Sequence, residues 1–174
     1  MKRRSYWLLT LPLLLTGCAA HVTRNSTPNV GMTVTPNMEN NLYVGETVKR
    51  HGKNVTLTYK QLNTFHHTTS LQNTSLKLAL ANHQPVALMF NAVANGTRGG
   101  REVIWGEELQ KKFGSKITFI MVDPFMDRAM AKAWHIKVSH DMFLINAHGK
   151  IVWRFIGGWD MSTVMRALKE LAKS

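Results

Sequence analysis

The run Val86-Ala-Leu-Met-Phe90, followed by Asn91-Ala-Val-Ala-Asn-Gly-Thr-Arg-Gly99, decides the fold. Five unbroken apolar residues after Pro85 predict a central strand buried on both faces. Beyond Gly99, Ile104, Trp105, Leu109 and Phe113 lie near helical spacing, and Gly114 is the expected stop. Strand, loop and helix in that order put the loop where chemistry usually sits. Here it holds no cysteine, histidine or carboxylate.

Working outward, residues 117–122 read as a second apolar strand. Met126, Ala129, Met130, Ala133 and Trp134 then mark an amphipathic helix. Residues 142–146 and 150–155 read as two strands joined by the turn Ala147-His-Gly149, and are therefore antiparallel. Asp160 is placed to cap a last helix with Met161, Val164, Met165, Leu168 and Leu171 on one face. Lys169 and Lys173 fall in its final turns, where the helix dipole favours cations. Upstream, Thr74 or Ser75 caps a short helix through Asn82 that buries Leu76, Ala79 and Leu80. Residues 54–60 alternate, with Val55, Leu57 and Tyr59 to one side, as a half-buried strand does. The expected architecture is α/β: a central mixed sheet flanked by helices, with an extra N-terminal strand.

Over residues 70–173 this pattern resembles the thioredoxin-like superfamily, in the style of its membrane-anchored periplasmic cytochrome-c-maturation members. The resemblance is carried by Phe143-Leu-Ile-Asn-Ala-His-Gly-Lys-Ile-Val152. It implies a Cys-x-x-Cys pair after the first central strand and a cis-proline shortly before this run. Neither is present. Asn95, Gly96, Thr97 and Arg98 occupy the redox-loop positions, and His140 takes the cis-proline place, or Asp141 in a shorter alignment. Dithiol exchange needs an attacking thiolate and a resolving thiol, so the expectation is a redox-inactive domain with no catalytic residue. Gly96, Gly99 and Gly100 suggest a loop with positive φ, or an anion-binding nest around Arg98.

The first residues carry an address. Lys2, Arg3 and Arg4 precede an apolar core too short to span a membrane, which ends in Leu15-Thr-Gly-Cys18. This ending resembles the lipobox of bacterial lipoproteins, which implies cleavage before Cys18, lipid on that residue and, with Ala19 next, a periplasm-facing place on the outer membrane. The expected organisation is a signal peptide at 1–17, a flexible lipid-anchored tether at 18–45 and the thioredoxin-like domain at 46–174. The tether is rich in Thr, Asn and Pro; Val30, Met32, Val34 and Met38 are the residues through which it would order on a partner.

Cys18 is the only cysteine, so the folded part has no disulfide and no thiolate ligand. His66 and His67, or His135 and His140, are the histidine pairs open to a metal, but neither has an evident third ligand. No cofactor is expected. The formal charge of +12 falls to +9 without the three cations of the leader. Acids interleave with the cations, as in Arg101-Glu102, and no basic block alternates with aromatics, so nucleic acid is not an expected partner. The expected partners are the envelope membrane, through Cys18, and other envelope proteins, with Trp153 and Trp159 as contact anchors. These readings suggest a binding or scaffolding subunit of a trans-envelope assembly, such as a secretion or conjugation apparatus. The alternative is a thiol or metal (copper, zinc) chaperone that uses a partner's thiols or histidines.

Overall fold

A computed structural model of the chain describes residues 28–39, 47–50, 52–56, 71, 74–92, 96–137 and 140–174. Two strands, β1 (Thr47–Arg50) and β2 (Lys53–Thr56), form an antiparallel hairpin turned at Gly52. Helix α1 (Leu76–Ala81), strand β3 (Val86–Phe90), helix α2 (Gly96–Phe113) and strand β4 (Thr118–Val122) follow. Helix α3 (Arg128–Ala133), strands β5 (Asp141–Ile145) and β6 (Ile151–Phe155), and helix α4 (Met161–Leu171) complete the chain.

The main sheet has the order β4-β3-β5-β6. Strand β3 runs parallel to β4 and antiparallel to β5, and β5 runs antiparallel to β6. This is the thioredoxin-like arrangement, a four-stranded mixed sheet with helices against it. The alternation of β3 explains its unbroken apolar run. Ala87 and Met89 join a core with Leu109, Phe113, Val164 and Leu168 from α2 and α4. Val86, Leu88 and Phe90 enter a second core with Leu76, Met130 and Trp134. Gly106 allows α2 to lie close on the sheet: a Cβ there would stand 2.8 Å from Leu71 Cδ1 and 3.3 Å from Met89 Cε.

The caps are the expected ones. Ser75 Oγ accepts from the Leu78 N–H of α1, and Asp160 accepts from the Thr163 N–H of α4. Three expectations are corrected. The described N-terminal strands form their own two-stranded sheet, and positions 57–60 lie outside the described residues. In α2 the buried stripe is Glu102, Val103, Leu109 and Phe113, while Ile104 is 57 % exposed. In the α3 region Met130, Ala131 and Trp134 are buried and Ala129 faces outward, because α3 spans only six residues and the buried positions follow its short contact with the sheet.

The segment read as a tether also differs. Residues 28–39 are part of the folded body. Gly31 N–H donates to Ile151 O, Ile151 N–H to Met32 O, and Val34 N–H to Gly149 O, each at 2.8 Å. The segment thus adds to the outer edge of β6, a position that would otherwise present unpaired backbone groups. Val34 and Met38 are buried in the second core, and the Trp134 indole N–H donates to Met38 O at 2.7 Å. Each buried apolar side chain contributes about 1.5–3 kcal/mol. Val30 and Met32 stay exposed.

Candidate functional site

The topology brings five chain segments to one edge of the sheet. Strands β3 and β4 end there, β5 begins there, β6 ends there, and α2 starts there. His140 immediately precedes β5. Its backbone has φ +89°, and its N–H donates to Phe90 O at 2.8 Å, continuing the β3–β5 ladder by one bond. A side chain at that φ is strained, and such residues persist only where their surroundings over-determine them.

The ring of His140 supplies the second constraint. Its Nδ1 lies 2.5 Å from Glu102 Oε2, and both side chains are buried, at 10 % and 4 % exposure. Glu102 is in the second turn of α2, on the stripe that continues through Val103 and Leu109 to Phe113. The phase of the helix therefore points this carboxylate at the sheet. The sequence reading placed Glu102 among the solvated charges beside Arg101. The available signal was its spacing of seven and eleven residues from Leu109 and Phe113, which sets it on their face.

Other polar groups are buried at the same edge. Asp141 Oδ1 accepts the Gly157 N–H at 2.7 Å. Burial pushes its carboxyl above the ordinary range, and the Gly157 bond and the neighbouring His140 act in the opposite direction. Asp123, at the end of β4, accepts the Phe125 N–H through Oδ1 at 2.8 Å. Its carboxyl is also raised by burial, against the Phe125 and Met126 backbone bonds. The Asn91 amide donates to Met121 Sδ at 3.8 Å. Phe125 and Ile156 stand exposed at the ends of β4 and β6.

The positions expected from the sequence fall as follows. Gly96, Thr97 and Arg98 form the first turn of α2, and Asn95 lies outside the described residues. The expected positive φ does not occur at Gly100, which is helical. Trp153 and Trp159 are half-buried against the first core, with Trp153 stacked on Phe155 at 6.3 Å. Cys18, His66, His67 and Ser139, whose bond to His140 is the cis-proline equivalent, lie outside the described residues. His135 is at the end of α3 with φ +53°, and no group of three or more His, Cys, Asp or Glu among the described residues is arranged to hold a metal ion. None of the described helices is long and apolar enough to cross a membrane.

Chemically, a histidine oriented by a carboxylate is one half of a proton relay. None of the segments that form this edge contains a cysteine.

No protein-family model matches the chain, and no curated protein matches it in sequence. Among solved structures, a poplar thioredoxin h is 18 % identical, with a TM-score of 0.49 over 56 % of this chain and 85 % of its own. A thioredoxin of Malassezia sympodialis is 18 % identical, with a TM-score of 0.48 over 62 % of this chain and 98 % of its own. A thiol:disulfide interchange protein of the thioredoxin family from Chlorobium tepidum is 15 % identical, with a TM-score of 0.42 over 60 % and 91 %. These three solved structures are thioredoxin-like proteins.

Proposed function

We propose that the chain is a non-catalytic, lipid-anchored binding subunit of the bacterial envelope, built on a thioredoxin-like fold. One observation carries the reading. Where that fold would use a thiol pair and a proline, this chain has the turn Gly96-Thr-Arg98 and a buried His140–Glu102 pair, and its single cysteine sits in the lipobox. The pair closes the edge by joining α2 to β5. The exposed Phe125 and Ile156, with the half-buried Trp153 and Trp159, offer apolar contact to a partner. A fixed place in a multi-subunit envelope assembly, such as a secretion or conjugation apparatus, is the finer form of this reading.

The test is an insulin-reduction assay on the purified protein, together with a membrane pull-down and the mass of its N-terminal peptide. The expected results are no turnover, a stoichiometric set of envelope proteins, and a diacylated or triacylated Cys18. Disulfide or peroxide turnover at an enzyme-like rate overturns the proposal. The 2.5 Å His140–Glu102 contact favours a second reading, acid–base catalysis at His140. Hydrolysis of a chromogenic ester that vanishes in His140→Ala would select it.

A further inference from the structure

The surface is far more cationic than the sequence suggests. From Lys53 to Lys77 and from Arg101 to Lys173 every described lysine and arginine is exposed, whereas Glu102, Asp123, Asp127 and Asp141 are buried. Four of the nine acids among the described residues are therefore withdrawn from the surface. The remaining positive charge is not spread evenly.

The end of the domain opposite His140 is where β3 and β4 begin, where β5 turns into β6, and where α2 and α4 finish. Lys111 and Lys112 end α2, Lys116 follows it, Lys150 closes the β5–β6 turn, and Lys169 and Lys173 end α4. Among the described residues none of these six lysines forms an ion pair. The acids toward this end are Glu107 and Glu108, more than a turn before the end of α2, Glu170 in the last turn of α4, and Glu39 near the Ala147–Gly149 turn. A shallow groove of about 340 Å³ opens between the two helix ends, walled by Lys112, Lys116, Lys169 and Lys173 and floored by Phe113 and Ala172. The helix-end lysines complement the dipoles of α2 and α4. Lys116 and Lys150 belong to no helix, so dipole complementation does not account for them.

Charge, together with the attachment of the chain at Cys18, selects the occupant. The packed segment enters at Pro28, whose carbonyl accepts from Arg154 Nη1 at 3.4 Å. Pro28 lies beside the half of β6 nearer the His140 edge and is ten residues after Cys18. That span reaches up to about 35 Å, against about 17 Å for a five-residue strand, so both ends of the sheet are within reach of the anchor and the lysines decide between them. We infer that this lysine-bearing end is a docking face for anionic lipid headgroups. It seats the domain on the bilayer and turns the His140 edge away from the membrane toward partners. The inference rests on the lipid-anchor reading above, since that anchor is what holds the domain at a bilayer. Phosphate headgroups match the lysine walls of the groove in charge.

Lysine acetylation followed by mass spectrometry tests this on the full-length protein as isolated from membranes. The protein is reconstituted into vesicles of phosphatidylcholine alone or with about one third phosphatidylglycerol. On anionic vesicles Lys112, Lys116, Lys169 and Lys173 should be acetylated at least fivefold more slowly than on neutral ones. Lys77, Lys132 and Lys137 should not change, and 0.5 M salt should abolish the difference because it shortens the screening length to a few ångströms. The double variant Lys112→Glu/Lys169→Glu, changed only at exposed sites, should lose the protection while keeping its circular dichroism. Equal labelling on both vesicles overturns the inference. Protection seen only in native envelopes does so too, and assigns the face to an acidic protein. The anchor reading fails separately, through the mass of the N-terminal peptide. If Cys18 carries no lipid, salt-sensitive co-sedimentation with anionic vesicles still reads the face itself, and its absence overturns the inference.

Discussion

Breaking the His140–Glu102 pair should be among the most damaging single changes available in this chain. Glu102→Ala takes a charge-assisted partner from an imidazole whose side chain is only 10 % exposed, a loss of about 1.5–3 kcal/mol. His140→Ala takes the imidazole from a carboxylate that is 4 % exposed, and truncating one member of a buried pair costs about 3–5 kcal/mol. Alanine also inherits φ +89°, so His140→Gly should be milder than His140→Ala by about 1 kcal/mol. In the double variant neither group remains to be buried alone, and the two losses should overlap by about 1.5–3 kcal/mol. Urea denaturation of the four proteins measures this. With a slope of about 2 kcal/mol per molar, a 3 kcal/mol effect moves the midpoint by about 1.5 M. If the two single losses sum in the double variant to within about 0.5 kcal/mol, the pair is not coupled and the reasoning is refuted.

Further outcomes follow from other parts of the fold. His83 and His135 occupy the left-handed position after α1 and α3, with φ +54° and +53°, and the N–H groups of Gln84 and Ile136 return to Ala79 O and Ala131 O in the Schellman pattern. His83→Gly and His135→Gly should each raise stability by about 0.5–1 kcal/mol, read as a higher thermal midpoint. Met38→Ala should cost about 2–5 kcal/mol by opening the second core, and limited proteolysis should then cut within residues 28–39 first. Asp123 and Asp141 are raised by burial from 3.8, so the folded form binds more protons than the unfolded form above that pH. Their contribution to stability is largest below pH 3.8 and falls as the pH rises through their folded values. Asp123→Asn keeps the Oδ1 acceptor for Phe125 and removes the buried charge, and should be the more stable protein at pH 7. Asp160 acts in the reverse sense: the Ser162 and Thr163 hydroxyls hold it at about 2, so its contribution is lost as the pH falls from 3.8 toward 2.

The legible parts of the fold are those whose signals are local. The β3 and β4 runs, the Ser75 and Asp160 caps and the Asn146–Lys150 turn can each be read within a few residues, because burial on both faces or a capping bond requires particular neighbours in sequence. Residues 28–39 were not legible for the opposite reason. Met38 is held by Trp134, ninety-six residues away, and Thr33 bridges to Lys150. No periodicity within a Thr- and Asn-rich segment reports such a surface. Glu102 failed differently. A charge beside Arg101 reads as solvated until the helix phase is fixed by what Leu109 and Phe113 pack against, and the choice of Ile104 over Glu102 for the buried face was the chemically cheaper one. His140 stands just before β5, and its partner Glu102 depends on that same missed phase.

The pair also answers a difficulty in the sequence of α2. The helix opens Gly96-Thr-Arg-Gly-Gly100 and has no acid in its first turn, so it lacks both good propensity and a favourable charge against its dipole. Three glycines among five positions weaken a helix start by about 1 kcal/mol each relative to alanine. Local preference alone would therefore begin the helix nearer Glu102. What holds the earlier turns is tertiary: Glu102 fixes the second turn to His140, and His140 is itself fixed to Phe90 O by its backbone. The strain at His140 and the weakness of the α2 start are thus joined through one hydrogen bond. This end of the sheet is tied down by a buried ionisable pair. A tie of that kind gives the glycine-rich turn a reason to be helical at all.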